Sequence, residues 1–309
     1  MKVQFENSLM SSFLLYVDNK ILKKGSAYTN HNGYFYPVSD SFRDYDVLAS
    51  PFKQFVYDTS VTGATVMSGI YYDTSTPTSA TFDGRAHNQH KFIKVGTSGF
   101  QSISHHEGSV YFDTGNFVTK GNYRVSGHYS VKDFNTYITQ ENEEDLLFET
   151  KYYLKPKTNQ TVTGLAPDAE PYPAIFLKSI GSVNEPFAFG GLDNTIVTAR
   201  AVILSDSAYK MDAVCSILRD TARDYVPLMT SEELPFMAHG ALTGLEYNYD
   251  TLKANKITNN SGVYISRVNV SKNVAKQSDM KNVNTNVFTA FVDFEFEHPR
   301  YPRTSTAPQ

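Results

Sequence analysis

The sequence predicts a mainly β protein of the α+β class, in which antiparallel strands are combined with one main amphipathic helix. Tyr and Phe occur 21 times each and Trp is absent, and these aromatic residues stand among many Thr, Ser, Asn and Gly residues. Aromatic and β-branched side chains favour pleated, half-buried surfaces. Short apolar segments recur roughly every ten residues between turn residues, as in a β-sandwich. Only one segment carries clear helical periodicity.

At 309 residues the chain is long enough for two domains with extensions. No repeat with a period of roughly 20 to 50 residues is visible, which argues against a propeller or a solenoid. We therefore predict an N-terminal arm or hairpin (1–40), a β-sandwich-like domain (41–140), a second, antiparallel-sheet domain of α+β type (141–298) and an extended C-terminal tail (299–309).

The N-terminal arm is predicted to be a β-hairpin. Residues 13–17 are an apolar run that favours a strand, residues 18–20 supply a turn, and residues 21–24 return as the second leg. An isolated hairpin is only marginally stable, so we expect it to lie on a neighbouring protein. Residues 27–37 are polar and aromatic and are predicted to form a loop that contacts a neighbour as well.

The remaining elements are predicted from apolar runs bounded by turn residues. In the β-sandwich-like domain the predicted strands are 55–57, 65–67 with 70–72, 92–95, 109–112 and 123–129. In the α+β domain they are 146–154, 174–177, 195–204, 263–270 and 288–296. The helix is predicted over 208–225, because Asp206 or Ser207 can cap it and apolar residues follow at spacings of three and four.

Charge and cysteine content exclude several classes of protein. The formal net charge is −4 and only 19% of the residues are charged, so neither a basic nucleic-acid-binding surface nor an acidic disordered tail is indicated. The single Cys215 excludes an internal disulfide framework and a zinc site built from several thiolates. We interpret it as a small core residue of the helix. No apolar run is long enough for a secretory signal or a membrane span, so we expect a soluble chain.

Residues 113–115, Asp-Thr-Gly after two apolar residues, match the loop that presents a catalytic carboxylate in aspartic proteases. That chemistry needs two carboxylates sharing one proton. The near relatives at 58–60 and 73–75 lack the glycine. We therefore interpret Asp113 as the end of a strand at a turn.

Histidine-based metal binding is the next alternative. His87 and His90 are three residues apart, and His105, His106 and Glu107 are contiguous. A metal site needs three or four converging ligands, whereas adjacent residues of a strand point to opposite faces. We interpret these histidines as residues of solvated loops and predict no metal.

Carboxylates are concentrated in two places, at residues 141–145 and at Asp293, Glu295 and Glu297. Glycosidases use two carboxylates in a sugar-binding cleft. The second group alternates with Phe294 and Phe296, which is typical of a strand with one wet and one dry face. No phosphate-binding loop, dinucleotide fingerprint or nucleophile elbow is present. We predict no catalytic residue, no cofactor and no enzymatic activity.

Several segments spread over most of the chain resemble structural proteins encoded in the virion modules of tailed bacteriophages. These segments are residues 13–22, 51–56 with 61–64, 185–194 and 292–302. The order of strands, one amphipathic helix and further strands in the second half is similar to that of tail-terminator and neck subunits. The resemblance implies a virion protein, made in the host cytoplasm, that forms a homo-oligomeric ring and binds connector, tail or capsid subunits.

A second reading within the same class remains open. The chain can instead be a peripheral binding module, such as a baseplate part, fibre base or capsid decoration protein whose Tyr-rich loops contact a receptor or a glycan. Both readings predict subunit contacts, and neither involves a membrane or favours direct nucleic-acid binding. We predict that the interface includes aromatic and apolar residues of the arm and tail, namely Phe13, Leu14, Leu15, Tyr16, Val17, Tyr34, Tyr36 and Tyr301.

Overall fold

A computed structural model of the chain describes residues 5–38, 45–73, 91–113, 124–148, 173–186, 193–230, 233, 246–258, 261–272 and 287–300. The helices are α1 (Phe5–Gly25), α2 (Glu143–Phe148), α3 (Ala208–Arg219) and α4 (Tyr249–Thr258). The strands are β1 (Tyr28–Pro37), β2 (Tyr45–Ala49), β3 (Gly69–Asp73), β4 (Lys91–Lys94), β5 (Phe100–Ser104), β6 (Ser109–Asp113), β7 (Arg124–Lys132), β8 (Asn135–Ile138), β9 (Ala174–Pro186), β10 (Asp193–Ser205), β11 (Tyr225–Pro227), β12 (Gly262–Lys272) and β13 (Phe288–Arg300).

The strands form two sheets, and this confirms the predicted mainly β fold. The first sheet is an antiparallel near-barrel of seven strands in the order β4-β3-β7-β1-β2-β6-β5. The second is a curled sheet of six strands in the order β11-β12-β13-β10-β9-β8. Strand β8 is parallel to β9, and the other pairs are antiparallel. Only Asp133 and Phe134 separate β7 of the first sheet from β8 of the second.

The predicted N-terminal hairpin is wrong, because residues 5–25 form helix α1. Every residue from Leu9 to Leu22 except Ser11 and Lys20 is buried. A helix that is buried on all sides shows no amphipathic stripe, so the apolar run at 13–17 resembles that of a strand. Glu6 in the first turn and Lys23 and Lys24 in the last complement the helix dipole.

Helix α1 packs on the second sheet and forms the larger part of the core with it. The ring of Phe13 lies edge-on to Phe294 and Phe296, with both centroid distances 4.8 Å. Helix α3 packs in the same layer through Met211, Val214, Cys215 and Leu218. A separate core fills the first sheet, and a smaller one lies under α2.

Five further predictions about single elements need correction. Residues 27–37 form strand β1 instead of a loop, because eight of their positions pair with β7, from Tyr28 opposite Lys132 to Phe35 opposite Val125. The predicted strand 146–154 begins as helix α2, and residues 149–154 lie outside the described part. Helix α3 ends at Arg219, where the Thr221 hydroxyl donates to the Leu218 carbonyl over 2.6 Å. Residues 55–57 form only an isolated bridge, from Phe55 to Val131, and 65–67 are in no strand.

Candidate interaction surface

The outer edge of strand β9 is the most open feature of the second sheet. Strand β8 pairs with residues 174–177 only, and among the described strands none pairs with the outer side of β9 beyond that point. Residues 180–186 are all exposed. The backbone N–H and C=O groups on this side can therefore accept another strand.

Two features limit where another strand can pair. Ile180 is an extra residue in a β-bulge, since Ser179 lies opposite Ala199 and Gly181 lies opposite Thr198. Pro186 ends the strand and has no N–H to donate. A bulge and a proline both interrupt a ladder, so the regular open segment is 181–185.

Apolar side chains are exposed on this edge and beside it. Ile180 is 49% and Val183 58% exposed. The registers place Val183, Ile196, Glu297 and Tyr264 in one row across β9, β10, β13 and β12. Tyr264 is 53% exposed, and its ring lies edge-on to Tyr225 at 5.2 Å. A strand added to β9 would therefore lie next to apolar side chains on the outer face.

A charged cluster on the same face separates this row from the covered part of the sheet. The Arg200 guanidinium donates from Nε to Asp293 Oδ1 over 2.6 Å, from Nη2 to Asp293 Oδ2 over 3.1 Å and from Nη1 to Glu143 Oε1 over 3.2 Å. Lys178 Nζ lies 3.3 Å from Glu143 Oε2. Hydrogen bonding to Asp293 raises the pKa of Arg200. Partial burial opposes ionisation of Glu143, but hydrogen bonds from the backbone, Lys178 and Arg200 lower its pKa.

Two of the three carboxylates of β13 have side-chain partners on the sheet. Asp293 is held by Arg200, and Glu295 accepts a 3.4 Å hydrogen bond from the Ser266 hydroxyl. Both lie on the wet face opposite Phe294 and Phe296, as the alternation predicted. The arrangement fixes α2 on the sheet.

The first sheet carries an aromatic patch that includes two of the predicted interface residues. Phe92, Tyr71, Ser126 and Tyr34 form a row across β4, β3, β7 and β1. The Tyr71 ring centroid lies 4.8 Å from that of Phe92, which is 40% exposed. Tyr36 lies two residues after Tyr34 on the same strand, hence on the same face, and both are half-buried.

The other predicted interface residues lie elsewhere. Phe13, Leu14, Leu15, Tyr16 and Val17 are at most 2% exposed and belong to the chain's own core, so they are not available to a partner. Their prediction as surface residues was wrong because it followed from the hairpin. Tyr301 lies outside the described residues.

A buried polar network joins α1 to the first sheet. Lys132 Nζ lies 2.8 Å from both carboxylate oxygens of Asp18, and the two side chains are 0% and 3% exposed. The Thr136 hydroxyl donates to Asp18 Oδ1 over 3.1 Å. The Lys132 ammonium lies 4.4 Å from the centroid of the Tyr57 ring. Burial lowers the pKa of Lys132, although Asp18 and Asp58 oppose this.

His105 and His106 lie in a turn, as predicted, but His105 is buried instead of solvated, and Cys215 is a core residue of α3 as predicted. His105 Nε2 donates to the Met67 carbonyl over 2.9 Å, and the His106 ring lies 5.9 Å from Tyr137. Burial, with the charges of Lys132 and Lys53, lowers the pKa of His106 to about 3. Cys215 lies buried in α3, and burial raises its pKa.

The other motif residues are only partly within the described ranges. The Asp113 carboxylate accepts a 2.7 Å hydrogen bond from Gln101, while Thr114, Gly115, His87 and His90 lie outside them. Across those ranges no group of three or more His, Cys, Asp or Glu side chains is placed to hold a metal ion. No described helix is both long and apolar enough to cross a bilayer.

In comparisons with known proteins, no family model matches this sequence and no curated protein shows significant similarity to it.

Proposed function

We propose that the chain is a non-enzymatic structural subunit of a tailed-bacteriophage virion, placed in the neck or at the completed end of the tail. In this role it binds sister copies in a ring and contacts connector, tail or capsid subunits. The resemblance of several sequence segments to virion proteins supports the class of protein. The open edge of β9 is the observation that carries the proposed mode of assembly.

Strand addition to this edge needs no new fold in either partner. Main-chain hydrogen bonds along 181–185 supply affinity, and the exposed side chains of Ile180 and Val183 supply apolar contact. A single short strand pair is weak. Repetition around a ring makes the contacts cooperative, because each contact that has formed raises the effective concentration of the surfaces that form the next contact.

In this proposal the open edge of β9, and not the N-terminal segment 1–40, forms the contact between subunits. Because residues 13–17 lie in the core of the same chain, the proposal does not use exchange of an N-terminal arm between subunits. Contacts must instead use surface already present on the folded subunit. The edge of β9 and the row of Val183, Ile196 and Tyr264 provide such a surface.

Substitution at the edge tests this mode of assembly. Val183→Lys places a charge beside the open ladder and should reduce self-association of the purified protein and its incorporation into particles, with an unchanged melting temperature. Tyr209→Lys is the matched control, because Tyr209 is 84% exposed on α3, away from the edge. Equal assembly of both variants would show that β9 is not the contact.

Locating the protein in intact particles tests the class and position. We expect one ring of density at the junction of head and tail in cryo-electron microscopy. Density at the periphery would instead support the binding-module alternative, which the aromatic patch of Phe92, Tyr71, Tyr34 and Tyr36 favours. Absence of the protein from purified particles would contradict both.

A further inference from the structure

Lys132 and Asp18 form a pair from which water is excluded. The two side chains are 0% and 3% exposed, and Lys132 Nζ lies 2.8 Å from each carboxylate oxygen. Moving two charged groups from water into a buried site costs several kcal/mol of desolvation free energy per ion, which their mutual attraction then partly offsets. Transfer of one proton from the ammonium to the carboxylate removes both charges and leaves a free amine beside a carboxylic acid.

The neighbouring groups are those that acyl transfer to an amine requires. The Thr136 hydroxyl donates to Asp18 Oδ1 over 3.1 Å, so it can stabilise negative charge that develops on this oxygen. Asp58 is fully buried, and its negative charge acts on Lys132, where it can stabilise positive charge on the nitrogen. The Tyr57 ring 4.4 Å away helps to hold the amine in place.

We propose that Lys132 and Asp18 condense to form an intramolecular isopeptide bond. The carboxyl group turns about its Cβ–Cγ bond, and the lone pair of Nζ attacks Cγ. The tetrahedral intermediate then loses its hydroxyl group, which leaves as water with a proton from the nitrogen. One N–C bond forms and one C–O bond breaks, with no oxidation or reduction and no co-reactant.

Contact between the two groups is needed for this reaction, and burial is the reason to expect it here and not at the surface pairs. Reaction of groups held in contact avoids the entropy loss of bringing them together. Lys20 and Asp224, a second Lys–Asp pair of helix α1, are 2.6 Å apart but 20% and 35% exposed. Solvent reaches that pair, whereas Lys132 and Asp18 are enclosed by the protein. Burial therefore distinguishes the reactive pair from its exposed counterpart.

The intact mass of the purified full-length protein under denaturing conditions tests the proposal. We expect the wild type to be lighter than its sequence by one water. Asp224→Ala removes the exposed pair and should keep this loss. Asp18→Ala and Lys132→Arg should have their full sequence masses. Asp18→Asn should lose ammonia instead, giving the same amide.

Peptide mapping tests the position and does not depend on the folding of any variant. Trypsin does not cleave after an acylated lysine, so wild-type digests should contain residues 3–20 joined to residues 125–151. Recovery of an unmodified peptide 125–132 as the main product, with a full-length intact mass, would overturn the proposal. The proposed virion role would stand in that case, because it rests on β9.

Discussion

Asn19 donates from its side-chain amide to Asp58 Oδ2 over 2.7 Å, between two buried residues. The other oxygen of Asp58 accepts the backbone N–H of Ser60 over 2.9 Å and that of Tyr249 over 3.1 Å. One carboxylate therefore connects helix α1, the turn after Tyr57 and the first residue of α4. These three elements are far apart in sequence, and no other described carboxylate is shown to join them.

Asp58→Ala should lower the free energy of unfolding by about 3 kcal/mol, because it leaves three donors, two of them buried, without this acceptor. Urea unfolding measures the loss. Asp212→Ala is the control, since its pair with Lys272 is exposed and should contribute little to stability. Equal losses in the two variants would contradict the role given to Asp58.

Phe13→Ala should destabilise the protein by about 3 to 5 kcal/mol, because it opens a cavity against Phe294 and Phe296. Asn7→Ala, an exposed position of the same helix, should have almost no effect. Thermal unfolding compares the two variants. Deletion of residues 1–25 should yield protein that does not fold, whereas a soluble, fully folded deletion variant would mean that α1 is dispensable.

Stability should fall below about pH 6.5 because of His106. Its pKa is about 3 in the folded protein, so the unfolded chain binds a proton that the folded chain does not between these values. The difference amounts to about 1.4 kcal/mol for each pH unit within this window. His106→Gln should flatten the profile between pH 6.5 and pH 5 in urea titrations. An unchanged slope would show that His106 becomes protonated without unfolding.

Arg200→Lys should weaken the attachment of α2 to the sheet, because a lysine ammonium cannot hold Asp293 through two nitrogens and Glu143 through a third. We expect a loss of about 1 kcal/mol for this partly exposed cluster. The pKa of Glu143 is lowered in the folded protein, so its ionised form stabilises the fold at pH values above the pKa of the unfolded chain. The variant should lose part of this stabilisation.

Amide hydrogen exchange localises the effect of Arg200→Lys. Residues 143–148 should exchange faster than in the wild type, while residues 208–219 of α3 should not change. Equal protection of both helices in the two proteins would show that the cluster does not hold α2.

Strands with a clear alternation of apolar and polar residues were predictable, because their apolar side faces the core and their polar side faces solvent. Strand β13 alternates Phe294 and Phe296 with Glu295 and Glu297, and its inner face meets helix α1 as this pattern requires. Helix α1 was missed because it is buried on every side and has no amphipathic stripe, so periodicity does not distinguish its apolar run from a buried strand. Its length without Pro or internal Gly was the available signal.

The candidate surface was harder to predict. The exposed part of β9 contains Gly181, Asn184 and Pro186, which are turn residues in local terms. It is a strand because it pairs with β10, and such pairing is not encoded within the segment. In the same way β1 contains Asn30, Asn32 and Gly33, yet β7 holds it extended. The exposure of Val183 can be inferred only when the pairing of β9 with β10 is known.

The two-residue connection from β7 to β8 means that the gene cannot be divided cleanly at this point. Splitting the coding sequence near codon 140 would leave β8 and helix α1 on the first fragment. Yet β8 is a strand of the second sheet and α1 packs on that sheet. We expect neither fragment to be stable when expressed by itself. Co-expression of the fragments could restore the fold, since each carries what the other lacks.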